Sequence, residues 1–158
     1  MASTYTFNYP GMERWKGRVA IVTGASAGIG HGLSKRVVQL GVVVVGCARN
    51  IAAIESLSQE LSRSGGKLVA MKCDVRKEED ILSMMSANKS QFGGASRNNA
   101  GLSHPAPLLT GATEKRRDIM EVNVLGLCVM NREFTKQLRE RNVDDGHVIQ
   151  HSRPCGDW

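Results

Sequence analysis

A glycine-rich loop between a short apolar run and an amphipathic segment restricts the possible fold more than any other stretch of the chain. The apolar run covers residues 19–22, and the loop at 23–30 reads Thr-Gly-Ala-Ser-Ala-Gly-Ile-Gly. A strand, a tight glycine turn and a helix start, in this order, suit a pyrophosphate, because the backbone can approach the anion and helix N–H groups face it. A glycine pattern alone is weak, and its position between a strand and a helix makes it much stronger.

The hydrophobic periodicity alternates between strand and helix three times. Apolar runs predict strands, and apolar residues at helical spacing predict helices. The predicted strands are 18–23, 42–47 and 67–73, and the predicted helices are 29–40, 51–64 and 78–91. A long helical stretch follows at 114–140, and a further strand begins at 147–149. This alternation predicts an α/β fold, a Rossmann-type doubly wound parallel sheet with right-handed crossovers.

Length and charge set the broad class. The 158 residues suffice for one domain, and the formal net charge is +6. Scattered solvated lysines and arginines explain this charge best, and an anionic partner such as a phosphorylated cofactor is the alternative. The basic cluster 115–117 has no interleaved aromatic residues, so we expect no nucleic-acid partner.

The cysteines and the apolar runs bear on the compartment. The four cysteines are far apart in sequence and form no C-x-x-C, which argues against a disulfide framework and favours a reducing compartment. We expect no metal site, because no cluster has metal-ligand spacing. The valine run 42–45 is too short to span a bilayer, and residues 1–10 lack the features of a signal peptide. We therefore expect a cytoplasmic protein without a membrane partner.

The residues after the second and third strands indicate which dinucleotide fits. An acidic residue after the second strand would bind the ribose 2′-hydroxyl of NAD, whereas an arginine suits the 2′-phosphate of NADP. Arg49 occupies that position, so NADP(H) is favoured, and an ordinary surface arginine is the alternative. Asp74 follows the third strand, where a carboxylate can accept a hydrogen bond from the adenine amino group.

Four motifs together resemble the classical short-chain dehydrogenase/reductase family. They are T-G-x-x-x-G-I-G at 23–30, the Asp-Val pair at 74–75, N-N-A-G at 98–101 and N-V-x-G at 123–126. The combination is specific, although each part alone is not. The resemblance covers residues 11 to about 149 and is strongest to a branch that acts on steroids and other carbonyls with NADPH. It implies an NADP(H)-dependent oxidoreductase whose small-molecule substrate is a carbonyl or a secondary alcohol.

The resemblance also implies roles for individual residues. The residues that would line the pyrophosphate are Gly24, Ala25, Ser26, Ala27, Gly28, Ile29 and Gly30. The 2′-phosphate and its ribose would lie against Arg49, Asn50 and Glu55, the adenine against Asp74 and Val75, and the nicotinamide side against Asn99, Ala100 and Gly101. Asn123 matches a helix asparagine that supports a proton-relay water. Alternatively, Asn123 is a helix-bending polar residue bonded to its own backbone.

The chain departs from the family pattern in three places. Family chemistry uses a Tyr-x-x-x-Lys pair, but the only tyrosines are Tyr5 and Tyr9, and neither precedes a lysine at that spacing. Arg153 takes the position of the family's serine, with Ser152 one residue before it. Residues 93–97 lack the apolar run of the family's fourth strand. A weakened fourth strand would remove apolar burial from the centre of the sheet.

These departures lead to one expectation and two alternatives. We expect a C-terminally truncated Rossmann domain of about five strands and four helices that has little or no hydride-transfer activity. The alternatives are a non-catalytic NADP-binding module and an incomplete or mis-spliced product. Residues 1–15 would form a flexible arm, 16–149 the family-like single domain and 150–158 an atypical tail. Family members usually form tetramers through the long fourth helix and its successor, and the sequence lacks that successor, so we do not expect the family's tetramer.

Overall fold

The computed structural model describes residue 11 and residues 13–92, 110–142 and 146–150. Several predicted features lie outside these ranges. They are the first part of the arm, the fourth strand, the N-N-A-G motif with Asn99, Ala100 and Gly101, and the tail with Ser152 and Arg153.

A parallel sheet is the centre of the fold. Its strands are β1 (Val19–Thr23), β2 (Val43–Ala48) and β3 (Lys67–Lys72). β2 lies between the other two and pairs with both in parallel. This arrangement confirms the predicted parallel sheet, and it brings the carboxyl ends of all three strands to the same edge.

Helices connect and cover the strands. They are α1 (Gly28–Gln39), α2 (Ala52–Glu60), α3 (Glu78–Phe92), α4 (Thr113–Met120) and α5 (Leu127–Glu140). A π-helical segment, Glu121–Gly126, joins α4 to α5, so the predicted long helix is continuous from residue 113 to residue 140. In the described ranges, no helix combines the length and apolar character that a membrane span requires.

Two apolar cores form on opposite faces of the sheet. Successive strand residues point to opposite faces, so neighbours in one strand belong to different cores. Val22 and Val44 pack with α1 and α2, whereas Ile21 and Val45 pack with α3 and α5, where Phe134 is buried. Helices on both faces define the doubly wound arrangement that the strand–helix alternation predicts.

The predicted strand at 147–149 is not formed. Residues 146–149 have no regular structure, Gln150 is an isolated bridge residue, and Val148 and Ile149 are each 40% exposed. A parallel strand needs a neighbour that supplies hydrogen bonds, and among the described strands β1 is the outer one on its side. The predicted fourth strand, which would stand between them, falls outside the described residues. The segment contacts the start of the domain instead, where the rings of His147 and Trp15 meet edge-on at 5.0 Å.

Candidate dinucleotide-binding site

The glycine loop has the backbone that a close approach to a ligand requires. Gly24 has a φ of +67° and Gly28 a φ of +54°, a conformation that L side chains rarely adopt. The loop is fixed where it leaves β1, because the Gly24 N–H donates to the Cys47 carbonyl at 2.9 Å. Its far end is open, since Ala27, Gly28 and Ile29 are all exposed.

The start of α1 faces the same open space. Ala27 occupies the N-cap position in an extended conformation, and its side chain cannot cap the first N–H groups of the helix. Those N–H groups lie beside the open glycines, where an anion could accept from them. Gly30 is buried, and the Ser34 hydroxyl donates to its carbonyl at 2.7 Å, which secures the first helical turn.

Arg49 and Asn50 follow the last residue of β2, and both are exposed. Arg49 forms no ion pair or hydrogen bond with any residue of the described ranges, so its guanidinium is available to a phosphate. The Asn50 side chain is engaged locally, because its Oδ1 accepts from the Ala52 N–H at 3.1 Å at the start of α2. Glu55 is exposed in the first turn of that helix.

Asp74, immediately after β3, is held by Arg76. The Arg76 Nη2 donates to Oδ2 at 2.6 Å and Nε to Oδ1 at 3.0 Å, and the Arg76 backbone N–H also donates to Oδ1 at 3.1 Å. These bonds hold the pKa of the Asp74 carboxyl below its usual range, and the charge of Arg49 contributes to the shift. The pKa of Arg76 is raised by the same contacts. Asp74 and Arg49 therefore act on one another across the ends of β2 and β3.

Arg76 also connects this loop to the long helix. Its Nη1 donates to Asp118 Oδ1 on α4 at 3.2 Å. The sequence analysis missed Arg76, although an arginine two residues after an aspartate in a turn is spaced for a local ion pair. Asp80 adds a further contact, because its Oδ2 accepts from the Asp74 N–H at 2.9 Å.

The π-helical segment packs directly against the loop that follows β3. A Cβ added at Gly126 would overlap the Val75 carbonyl oxygen, so a glycine is required for this approach. Val75 itself is half-buried. Asn123 lies in the same π segment and is exposed. Segments of this kind recur at functional sites in helical proteins.

Two cysteines that are distant in sequence meet under this edge of the sheet. Cys47 and Cys73 are both buried and free. The pKa of the Cys47 thiol is raised, first by its hydrogen bond with Cys73 and then by burial. Both cysteines belong to the core beneath the site, whereas the glycine loop, Arg49 and Asp74 lie at its surface.

The structure thus brings together the ends of three parallel strands, a glycine turn and a helix N-terminus. Ligands of open α/β sheets bind at this edge. The fold and the arrangement of this edge are those of the Rossmann class.

Comparisons with known proteins agree with this class. The family model of the short chain dehydrogenases matches residues 18–156. The chain is 51% identical over 151 residues to the human protein "Dehydrogenase/reductase SDR family member 11", an alignment that covers 93% of this chain and 58% of that protein. It is 39% identical to the farnesol dehydrogenase of Aedes aegypti, with 92% and 60% of the two chains covered.

A solved structure shows the same architecture. A metagenomic short-chain oxidoreductase in complex with NADP superposes with a TM-score of 0.77 at 27% identity, over 85% of this chain and 61% of that one. The chain belongs to the short-chain dehydrogenase family. It spans about three-fifths of the length of the relatives named here.

Proposed function

We propose that this domain binds NADP(H) and is the cofactor-binding part of a short-chain oxidoreductase. The observation that carries the proposal is Arg49, exposed and unpaired within the described ranges at the end of β2, where an acidic residue would favour NAD. A relative of the same fold is known in complex with NADP, which supports this choice.

The pyrophosphate would lie on the glycine loop. Gly24 and Gly28 supply the positive-φ turn, and Ala25, Ser26 and Ala27 supply backbone between them. Ile29 and Gly30 form the first turn of α1, whose N–H groups would face the phosphate oxygens. The open surface above these residues fits an anion that is recognised through backbone donors.

The two ends of the adenosine would be held by different charges. Arg49 would pair with the 2′-phosphate, while Asn50 and Glu55 would border the ribose. The Asp74 carboxylate would accept from the adenine amino group, with Val75 beside it. Asn99, Ala100 and Gly101 would border the nicotinamide side, as the family pattern implies.

The reaction would be the oxidation or reduction of a small alcohol or carbonyl compound. Nicotinamide, when bound, supplies or accepts the hydride. A tyrosine with its free pKa of about 10 is a poor base at neutral pH unless a neighbouring cation lowers it. Residues 1–158 contain no Tyr-x-x-x-Lys pair, so we propose that they bind the cofactor without transferring hydride by themselves. Asn123 would then have a supporting role only.

Fluorescence titration of the 158-residue chain with NADPH and NADH tests the binding proposal. We expect NADPH to bind at least about tenfold more tightly, since a charge-assisted pair with the 2′-phosphate contributes more than about 1.4 kcal/mol. Arg49→Glu should abolish this preference, whereas Arg63→Glu, an exposed change beyond α2, should preserve it. A folded chain that binds neither nucleotide refutes the proposal.

A separate assay tests the absence of turnover. NADPH oxidation is followed with a diketone and with a ketosteroid, at nucleotide concentrations that saturate the chain. We expect no rate above the protein-free reaction. Measurable turnover would overturn the claim of inactivity and leave the binding proposal intact.

A further inference from the structure

The contacts of Asp74 suggest a function for Arg76 that rests on the proposed NADP(H) site. We propose that Arg76 is a positioning residue that aims the Asp74 carboxylate at the adenine base, so that the site selects a 6-aminopurine over a 6-oxopurine. The recognising group is Asp74, and Arg76 acts through it.

The hydrogen-bond geometry leaves the carboxylate one open direction. An ionised carboxylate has about four acceptor positions, two on each oxygen. Oδ1 accepts from the Arg76 backbone N–H at 3.1 Å and from Nε at 3.0 Å. Oδ2 accepts from Nη2 at 2.6 Å and shares Nε at a longer 3.2 Å. The single Nε hydrogen counts once, on the nearer Oδ1, so the three Arg76 hydrogens fill three of the four positions. The remaining acceptor position is therefore on Oδ2, where it is left for a donor from the base.

Burial and the paired Arg76 bonds keep this arrangement in place. The Asp74 side chain is 14% exposed and that of Arg76 is 28% exposed, so the pair is partly shielded but still reachable from the site. The Arg76 Nη1 also donates to Asp118 Oδ1 at 3.2 Å, a contact separate from the bonds that orient the Asp74 carboxylate. The planar guanidinium thus spans two carboxylates, and rotation of the Asp74 carboxylate would break its paired bonds.

The ionised carboxylate explains the selectivity. It can only accept hydrogen bonds, so it pairs with the amino group of adenine. A 6-oxo group is itself an acceptor and would place its oxygen against the anion. Without Arg76 the carboxylate could turn away from the base, and the difference between the two bases would shrink.

The alternative is that Arg76 only ties the loop to α4. The two roles separate experimentally, because Asp118→Asn weakens the tie to α4 and leaves all four Arg76–Asp74 contacts possible. An Arg76→Ala substitution removes both. Arg76→Lys keeps the charge but loses the planar fork.

The test compares NADPH with its deamino analogue, in which hypoxanthine replaces adenine, by fluorescence titration of the full 158-residue chain. The readout is the ratio of the two Kd values. We expect Arg76→Ala to lower the ratio of the deamino-NADPH Kd to the NADPH Kd about fivefold or more, because one oriented charge-assisted hydrogen bond is lost. Arg76→Lys should lie between it and the parent chain, and Asp118→Asn should stay within about twofold of the parent.

Three results would overturn the inference. An unchanged ratio in Arg76→Ala, or in Arg76→Lys if the alanine variant does not fold, removes the positioning role. A fall in Asp118→Asn equal to that in Arg76→Ala shows that only the tie to α4 matters. Failure of the parent chain to bind NADPH refutes the proposed function as well, whereas normal NADPH binding with an insensitive ratio refutes this inference alone.

Discussion

Asn88 on α3 is a buried amide without a hydrogen-bond partner among the described residues, and its replacement by leucine should stabilise the domain. The residue is fully buried, and within residues 13–92, 110–142 and 146–150 neither Nδ2 nor Oδ1 has a partner. It belongs to α3, the helix that packs against α5. A buried polar group without a partner loses its bonds to water and gains nothing in return.

The magnitude follows from this loss. An unsatisfied buried amide costs about 1–3 kcal/mol in mutational data. Leucine has the same branching as asparagine and favours helices more, but its methyl groups are larger than the atoms they replace, so some repacking strain offsets the gain. We expect Asn88→Leu to raise the free energy of unfolding by about 1–2 kcal/mol, which raises Tm by about 2–8 °C in a domain of this size.

Urea unfolding followed by circular dichroism measures the change in the free energy of unfolding. The slope m of that free energy against urea concentration is compared between the variants. Asn88→Asp buries a charge and should destabilise by more than about 2 kcal/mol near neutral pH. Gln91→Leu on the exposed side of the same helix should stay within about 0.5 kcal/mol of the parent. A lower free energy of unfolding for Asn88→Leu would contradict this reasoning.

Two further predictions concern the site loop. Asp74→Asn should cost about 1–2 kcal/mol near neutral pH. The folded-state pKa of Asp74 is lowered, so this contribution is present above its unfolded pKa, and the gap to the parent should close as the pH falls below about 4. Urea titrations at pH 7, 5, 4 and 3 test this, and a gap that persists unchanged at pH 3 contradicts it. Gly126→Ala should destabilise by about 1–3 kcal/mol, because the new Cβ overlaps the Val75 carbonyl. Gly32→Ala, where the Cβ meets open space in α1, should be neutral or stabilise by up to about 1 kcal/mol, and urea unfolding of both variants measures the difference. Equal effects of the two alanines would contradict the packing argument.

The sequence predicted the strands and helices that depend on patterns of neighbouring residues. Three strands and the helices between them follow from apolar runs and helical spacing, and the structure confirms them. The prediction of a strand at 147–149 was wrong. An apolar run such as Val148-Ile149 has strand propensity, but it does not show whether a neighbouring strand pairs with it. The π segment was not predicted, since one extra residue within a helix changes no motif.

In the site too, features set by local sequence were predicted and contacts set by tertiary packing were not. The glycine loop and the position of Arg49 could be found in the sequence, because strand ends fix where such residues lie. The Arg76–Asp118 contact could not, since it joins residues 42 positions apart through tertiary packing. Asn50 was assigned to the ribose, yet its side-chain oxygen accepts at the start of α2, a local bond that competes with contact to a ligand.

The π segment Glu121–Gly126 sets the phase of everything that follows it in the long helix. A regular helix turns by about 100° per residue, so one residue more or fewer rotates the downstream helix by that angle. In the present phase Met130 and Phe134 point into the core beneath β1 and β2. Deleting one residue from the segment would turn both side chains about 100° away from the core and would bring the polar residues Asn131 and Thr135 toward the sheet. The number of residues in this segment, more than their identity, determines which side of α5 the domain buries.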